Sequence, residues 1–250
     1  MKKVLSLIMA MLLVVVALAG CGANEAGDKK VITMATNAEF PPFEYLEGEE
    51  IVGADVEIAQ EIAKYLGCEL EISNIDFDAA LTGAATGKYD MAVAGITAND
   101  ERRKNMNFSD DYYTASQAII VMADSDIKTA ADLEGKTVSC QEGTTGEQFL
   151  LDGSYNVQSF KTGAEAISAL TAAKVDAVVI DNAVAVALSA KQEGKTIVLD
   201  EALTQEAYAI AIKLGNDEFT AKVNEALKSL KDSGKLAEIF TKYELPFDAE

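Results

Sequence analysis

The chain has 250 residues, and its 41 acidic and 21 basic side chains give a formal net charge of −20. This excess of negative charge argues against a nucleic-acid partner, because phosphates would be repelled. The chain contains no histidine, which excludes Ser-His and Cys-His catalytic arrangements and most zinc sites. We therefore expect neither a metal nor a cofactor.

The first twenty residues have the features of a secretory signal. Lys2 and Lys3 precede a largely apolar run from Val4 to Ala19, which is shorter than the roughly 20 residues that span a bilayer as a helix. The run Leu18-Ala19-Gly20-Cys21 resembles the bacterial lipoprotein signal, in which the cysteine becomes the lipidated first residue. An ordinary signal with a chance cysteine is the alternative. The sequence thus predicts a lipoprotein signal peptide over 1–20, a lipid on Cys21 and a short polar tether over 21–30.

After the tether, apolar strands alternate with amphipathic helices along the chain. In the first half, strands are predicted at 31–35, 70–72 and 91–96, and helices at 56–66, after a cap at Asp55, and at 78–86. The second half has predicted strands at 137–140 and 177–180, a helical turn at 130–134, and helices at 147–151, 164–173, 218–230 and 235–243. This alternation predicts an α/β fold with mainly parallel sheets.

A short internal repeat of sequence pattern, called the internal echo below, indicates two similar lobes rather than one sheet. Lys88-Tyr89-Asp90 leads into Met91-Ala92-Val93, and Lys174-Val175-Asp176 leads into Ala177-Val178-Val179. Each unit follows a predicted helix and opens a predicted strand. Helix-turn-strand sequences converge easily, so the echo favours two lobes but does not by itself establish them.

Candidate binding residues follow the predicted strands, because ligands of open α/β sheets lie beyond the carboxyl ends of the strands. The polar or glycine-rich segments at such ends are 37–43, 95–102, 141–146 and Asp181. Within them, Asn99 can cap a helix that has Arg102 in its first turn. The Arg102 guanidinium could grip a carboxylate with two parallel hydrogen bonds, or could be an exposed arginine in a charged run.

The segment Gly143-Thr144-Thr145-Gly146 precedes a helix start whose free amides would face an anion. It lacks the lysine of a phosphate-binding loop, which favours a carboxylate over a nucleotide as the ligand. A simple turn between strand and helix is the alternative. Asp181 ends an apolar strand, where a buried carboxylate needs a cation or several donors. Phe40 and Phe77 could stack on a ligand or pack in the core.

Five motifs in a fixed order carry a resemblance to a known family. They are ATNAEFPPFEY at 35–45, GADVEIA at 53–59, AGITANDER at 94–102, FSDDYY at 108–113 and QEGTTGE at 141–147. Over nearly all of residues 30–245 the chain resembles the polar amino-acid-binding proteins of ABC importers, the solute-binding family 3 group. The resemblance implies two α/β lobes with crossovers near 113–117 and 206–209. Lobe 1 would contain residues 31–113 and 209–250, and lobe 2 residues 114–208.

The resemblance also implies a role for each residue of the expected site. Arg102 and the backbone amides of Thr97 and Thr145 would hold the ligand α-carboxylate, while Asp181, the Gly95 carbonyl and the Thr97 hydroxyl would hold the α-ammonium. Phe40 and Phe77 would sandwich the ligand side chain, and Asn37, Glu39, Gln141 and Glu142 would select it. Binders of cationic or glutamine-like side chains in this family often carry aspartate where this chain has Asn37. We therefore expect a neutral polar ligand, with a basic one left open through Glu39 or Glu142.

The function implied is that of a non-enzymatic, substrate-binding component of an ABC transporter. Such a protein would take a free polar amino acid to membrane permease subunits, as a monomer held by its lipid on the outer face of the cytoplasmic membrane. In an organism with an outer membrane, this location is the periplasm. One alternative is a dehydratase on the same scaffold with Glu39 or Glu142 as proton donor. The other is a sensory ectodomain, which would require a further membrane span or a signalling domain.

Cys68 and Cys140 are predicted to be free thiols. A disulfide is compatible with an exported protein, but the resemblance places the two cysteines in different lobes, where a bond would oppose hinge motion.

The lipoprotein motif generates a test of membrane attachment. Cys21→Ala removes the only sulfur at the predicted processing site, so the protein should move from the membrane fraction to the soluble fraction. Immunoblotting of the two fractions from cells that express the parent or the variant measures this. Unchanged retention in the membrane fraction would show that Cys21 is not the anchor.

Overall fold

Residues 30–153 and 155–246 are described by a computed structural model. The predicted signal peptide, the lipidation site and most of the tether lie outside the described residues. Within the described part of the chain, no helix is long and apolar enough to cross a membrane.

In the described residues, fifteen short strands form two five-stranded sheets and two smaller ones. The strands are β1 (Val31–Thr36), β2 (Glu39–Phe40), β3 (Glu44–Glu47), β4 (Glu50–Val52), β5 (Glu69–Asn74), β6 (Met91–Ala92), β7 (Met106–Phe108), β8 (Tyr113–Ala115), β9 (Gln117–Met122), β10 (Thr137–Gln141), β11 (Asn156–Phe160), β12 (Ala177–Asp181), β13 (Thr196–Val198), β14 (Glu206–Tyr208) and β15 (Ala211–Lys213).

The helices cover the faces of the two large sheets. They are α1 (Ala54–Tyr65), α2 (Phe77–Thr86), α3 (Asp100–Arg103), α4 (Thr145–Asp152), α5 (Gly163–Thr171), α6 (Asn182–Ala190), α7 (Asp217–Asp232) and α8 (Lys235–Lys242), with a 3₁₀ turn at Ala130–Leu133. The predicted α/β fold with two lobes is confirmed, since each lobe is one large sheet with its helices.

Each large sheet has four strands that run in one direction and one strand that runs in the opposite direction, so both sheets are mixed but mainly parallel, as predicted. In the first sheet, β1 runs parallel to β5 and β6, while β15 runs antiparallel to β6 and β7. In the second, β10 runs parallel to β11 and β12, while β9 runs antiparallel to β12 and β13. Strands joined through a helix are parallel, as such crossovers require. By contrast, β9 and β15 each follow directly from a segment that passes between the sheets, and they enter in the opposite direction.

The two segments that pass between the sheets pair with each other. Strand β8 pairs antiparallel with β14, with Tyr113 opposite Tyr208 and Ala115 opposite Glu206. Buried aromatic rings pack around this pair: the Phe43 ring centroid lies 4.9 Å from that of Tyr113 and 5.1 Å from that of Tyr208. The hinge is therefore a short, densely packed ribbon. The exact lobe boundaries stay a prediction.

The internal echo corresponds to a repeated structural device. The Thr33 backbone N–H donates to Asp90 Oδ2 at 2.8 Å, and Asp90 N–H donates back to the Thr33 carbonyl at 3.0 Å. In the second sheet, Thr137 N–H donates to Asp176 Oδ2 at 2.8 Å and Asp176 N–H donates back to the Thr137 carbonyl at 2.8 Å. Each aspartate thus fastens the turn before one parallel strand to the neighbouring strand.

Three local expectations differ from the structure. Asp55 does not cap α1: it is the second residue of the helix, and the cap position is Gly53 at φ 133°. The strand predicted at 91–96 ends at Ala92, and at Gly95 the chain adopts a φ of +54°. The small sheet of β2, β3 and β4 was not predicted, because its strands have two to four residues and alternate too briefly to be recognised.

Cys68 and Cys140 are both free. Cys140 is buried on β10, and burial raises the pKa of its thiol to about 11. Cys68 directly precedes β5 in the other large sheet.

The repeated aspartate contact generates a stability test. Asp176→Ala removes the acceptor for the Thr137 amide and should lower the free energy of unfolding by about 1 kcal/mol, the usual net value of one such hydrogen bond. Urea unfolding followed by circular dichroism measures the loss. Lys174→Ala, an exposed change in the same turn, is the matched control and should stay within about 0.5 kcal/mol of the parent. Equal stability of both variants would contradict the role of Asp176.

Candidate functional site

One cleft between the lobes is lined by nine of the eleven residues expected in the site, all except Glu39 and Glu142. The nine are Asn37, Phe40, Phe77, Gly95, Thr97, Arg102, Gln141, Thr145 and Asp181. Glu44, Ala94 and Thr144 also line it. The structure therefore brings these residues together, while their individual roles toward a ligand stay predictions.

Arg102 lies at the start of α3 and reaches across the cleft. Asn99 caps this helix, as predicted, by accepting the Arg102 N–H at 2.9 Å. The guanidinium lies over the Phe77 ring, with 5.4 Å from Cζ to the ring centroid. Nη1 donates to the Thr97 carbonyl at 2.9 Å, and Nη2 donates to the Gly143 carbonyl of the other lobe at 3.0 Å. Burial lowers the pKa of Arg102, so it is not one of the exposed arginines of a charged run.

The glycine-rich segment before α4 faces Arg102 from the second lobe. Thr144 caps α4 by accepting the Glu147 N–H at 3.3 Å, and the Thr145 amide in the first turn has no partner within the helix. Gly143 has φ +76°, and a Cβ there would lie 1.9 Å from Asp78 Oδ1 on α2. Only glycine fits at 143, both because of its φ and because the first lobe lies so close.

Asp181 is the last residue of β12 and is buried. The Tyr208 hydroxyl of the hinge strand β14 donates to Asp181 Oδ1 at 2.6 Å. Burial, and next the nearby Glu206 carboxylate, raise the pKa of Asp181 to about 6. The side chain is therefore mostly ionised at neutral pH and presents a negative charge on the second-lobe side of the cleft.

Gln141 and Asn37 form a hydrogen bond between the lobes. Gln141 Nε2 donates to Asn37 Oδ1 at 3.0 Å, and Asn37 Nδ2 donates to the Ile75 carbonyl at 3.1 Å. Because the Asn37 nitrogen is already engaged, its oxygen must accept from the Gln141 nitrogen, which fixes the orientation of both amides. Gln141 Oε1 is left buried with no donor among the described residues.

Glu206 joins the two sides of the cleft, and sequence reasoning missed it. From the hinge strand β14 its carboxylate accepts hydroxyl hydrogen bonds from Thr97 at 2.6 Å, Thr145 at 2.7 Å and Thr204 at 2.7 Å. The Thr97 hydroxyl, expected to hold a ligand ammonium, thus donates to Glu206. The only sequence signal was an acidic residue at the start of the second predicted crossover.

Two further carboxyl groups were also missed: Glu44 lines the cleft, and Asp55 lies behind its lining residue Gly95. Asp55 Oδ2 accepts the Gly95 N–H at 2.8 Å, and both its oxygens lie 2.9 Å from the Tyr112 hydroxyl that donates to them. Burial raises the pKa of Asp55 to about 6. Burial, and next the Asp55 carboxylate, hold the pKa of Glu44 well above its usual range.

The remaining predicted residues are placed as follows. Phe40 and Phe77 each belong to a hydrophobic core cluster and also border the cleft, so core packing does not exclude contact with a ligand. Glu39 and Glu142 are not among the described residues that line the cleft. Glu142 instead pairs with Lys161 at 2.7 Å on the surface. Within residues 30–153 and 155–246, no group of side chains is suited to hold a metal ion.

Comparison with known sequences relates this chain to proteins named for binding amino acids. Residues 32–246 match the family model described as bacterial extracellular solute-binding proteins, family 3. The arginine-binding extracellular protein ArtP of Bacillus subtilis (strain 168) is 33% identical over 251 residues, covering 97% of this chain and 98% of ArtP. The glutamine-binding protein GlnH of an ABC transporter in the same strain is 30% identical over 268 residues, covering 97% of each chain.

Comparison with solved structures agrees with the sequence matches. An ancestral arginine-binding protein bound to glutamine superposes with a TM-score of 0.82 at 37% identity, covering 86% of this chain and 98% of that one. The same ancestral protein bound to arginine gives the same TM-score, identity and coverage.

Proposed function

Because this chain belongs to family 3 of the bacterial extracellular solute-binding proteins, we propose that it binds a free cationic amino acid, arginine in the first instance. The ligand occupies the cleft between the lobes, and the loaded protein delivers it to the permease of an ABC transporter. The protein acts outside the cytoplasm as a monomer, anchored to the membrane through a lipid on Cys21.

The proposal of a cationic ligand rests on the polar atoms that the cleft leaves unpaired, which are oxygens. Glu44 Oε1, Glu44 Oε2 and Gln141 Oε1 are buried oxygens with no donor among the described residues. No buried side-chain nitrogen of a described lining residue is left unpaired beside them. A buried acceptor without a donor costs about 1–3 kcal/mol. A ligand rich in N–H groups removes that cost, and the ammonium and guanidinium of arginine supply only donors.

The balance of charge supports the same ligand. Glu44 and Asp181 line the cleft, and Glu206 is bonded to two of its threonines, whereas Arg102 is the one cationic side chain among the described lining residues. The α-carboxylate of a bound amino acid would pair with Arg102, and the acidic side chains of the cleft would still outnumber its cations. A ligand with a second positive charge offsets that excess.

The neutral ligand expected from Asn37 is replaced in this proposal. The Asn37 oxygen already accepts from Gln141, so the side chain at 37 acts by holding Gln141, whose free oxygen faces the ligand. Glutamine is the second candidate, because its amide also donates to such an oxygen and because GlnH, a relative, is named for binding it. A neutral side chain would, however, leave the excess of acidic groups uncompensated.

Contacts across the cleft supply the mechanism of capture. Arg102 donates to Gly143, Gln141 donates to Asn37, and Glu206 accepts from a threonine of each lobe. A ligand held by residues of both lobes binds the closed arrangement more tightly than the open one, and so shifts the population toward closure. No bond of the ligand needs to change.

We also propose that the protein is not a dehydratase. The two carboxyl groups considered as proton donors do not favour that activity, since Glu142 is paired with Lys161 at the surface and neither Glu142 nor Glu39 is a described lining residue of the cleft. Incubation with a prephenate-like substrate should give no product, and product formation would contradict this assignment.

The proposed ligand class predicts the outcome of a thermal-shift screen against the twenty amino acids. Arginine and lysine should raise the melting temperature most, because they should bind most tightly. A ligand at about 100 times its Kd stabilises the folded state by about 2.7 kcal/mol. Glutamine should give a smaller shift, and glutamate and aspartate none. A largest shift with a neutral amino acid would overturn the cationic assignment.

Arg102 and Asp181, the two charged anchors of the proposed site, predict a second result. It is measured by calorimetry with L-arginine. Arg102→Ala or Asp181→Ala should each weaken binding at least about a hundredfold, because removing one partner of a desolvated pair costs about 3–5 kcal/mol. Arg103→Ala is the matched control: its side chain is partly exposed and lies near Asp111 at the surface, so binding should be unchanged. Circular dichroism confirms folding. Binding within about threefold of the parent for either anchor variant would show that the site is assigned wrongly.

A further inference from the structure

Glu44 is a buried carboxyl group that borders the cleft without a donor. The residue is fully buried at the start of β3, and neither of its oxygens has a hydrogen-bond donor among the described residues. An ionised carboxylate in such a place would carry an uncompensated charge, which proteins avoid by pairing or by protonation. Glu44 therefore needs a proton or a cation.

A second buried carboxyl group, that of Asp55, lies beside Glu44, because the Asp55 backbone N–H donates at 2.9 Å to the carbonyl of Phe43, the residue before Glu44. Asp55 on α1 lies within hydrogen-bonding reach of it. Asp55 already accepts from Gly95 N–H and from the Tyr112 hydroxyl, so Asp55 is the member of the pair that is held as the anion. Two carboxyl groups in contact cannot both be ionised at little cost, and a single shared proton is the usual solution.

The other charged groups that face Glu44 increase its need for a proton. Asp181 at the end of β12 adds a negative charge, and Tyr112 before β8 is a neutral phenol whose own pKa is held well above its usual range by burial. Arg102, the one cation among the described lining residues, is engaged by the carbonyls of Thr97 and Gly143. No basic side chain is among the described groups that act on Glu44.

We propose that Glu44 shares a proton with Asp55 before the ligand binds and releases it when the ammonium group of the ligand enters the cleft. This inference rests on the proposed function. It makes Glu44 a residue that selects for the ammonium group of a free amino acid, because only a ligand that brings a positive charge can take the place of the proton. Loss of the proton restores one negative charge beside Asp181, and the ammonium balances it.

The exchange fixes the sign of the pH dependence. The ligand cation favours the ionised form of Glu44 and lowers its pKa, so binding releases a proton at any pH between the pKa values of the ligand-bound and ligand-free forms. Affinity then rises with pH, by at most about tenfold per unit for one proton, and levels off above the ligand-free pKa. Asp55 and Asp181, each with a pKa of about 6, are mostly ionised at pH 7 and contribute little there.

Isothermal titration of the full chain with L-arginine at pH 7 tests the exchange. The enthalpy is measured in buffers with different heats of ionisation, and its slope against that heat gives the protons released per ligand. The parent should release a substantial fraction of one proton. Glu44→Gln keeps the shape and can donate to Asp55, so it should release almost none and should bind L-arginine about tenfold more weakly. Glu47→Gln, an exposed change on the same strand, is the matched control and should release as much as the parent.

Each outcome of the titration either supports or overturns the proposed proton exchange. Binding by the parent without proton release overturns this inference and leaves the proposed function standing, and it does so even if Glu44→Gln fails to fold. Equal release by the parent and a folded Glu44→Gln also overturns it, since the proton would come from another group. No binding of L-arginine overturns the ligand assignment, and this inference with it.

Discussion

The arrangement of the cleft depends on four carboxyl groups buried in it or beside it, where Arg102 is the one cationic side chain among the described lining residues. Glu44, Asp55, Asp181 and Glu206 are all less than a tenth exposed, and each would be costly to bury without compensation. Hydroxyl groups supply most of that compensation: Tyr112 donates to Asp55, Tyr208 to Asp181, and three threonines to Glu206. Neutral donors satisfy these anions without cancelling their charge, so the cleft stays negative.

These hydrogen bonds also explain why the hinge and the cleft are one structure. Tyr208 and Glu206 are both on β14, the second segment that passes between the lobes, and Tyr112 directly precedes the first, β8. The hydroxyls and carboxylates of the hinge therefore reach residues of the cleft directly. Any movement of one lobe relative to the other changes the surroundings of the acidic groups in and beside the cleft. Closure and electrostatics are thereby coupled.

Sequence reasoning found the residues whose position follows from local rules. Asp181 comes directly after a predicted strand and Arg102 ends the segment that follows another, and the strand-end rule places such segments at a binding edge. Asp55 and Glu206 could not be found in this way, because Asp55 is inside an amphipathic helix and Glu206 is in a crossover. Their burial results from contacts with residues 40 to 109 positions away in the chain. Glu44 was missed for a similar reason: it begins a strand too short to be recognised, and its burial depends on α1 packing against that strand. Likewise, the mixed sheets depend on where the chain re-enters each lobe, which no local pattern encodes.

The contact between Gly143 and Asp78 has a consequence for the size of the ligand. Because even a Cβ at 143 would lie 1.9 Å from Asp78 Oδ1, bare backbone of one lobe rests against a side chain of the other at the mouth of the cleft. Such a contact limits how closely the lobes approach, because the main chain of one lobe meets the Asp78 carboxylate of the other, a side chain that yields only by rotating away. A ligand too long for the closed cleft would keep Gly143 and Asp78 apart. Selection by the length of the ligand would then depend partly on two residues, Gly143 and Asp78, that do not line the cleft.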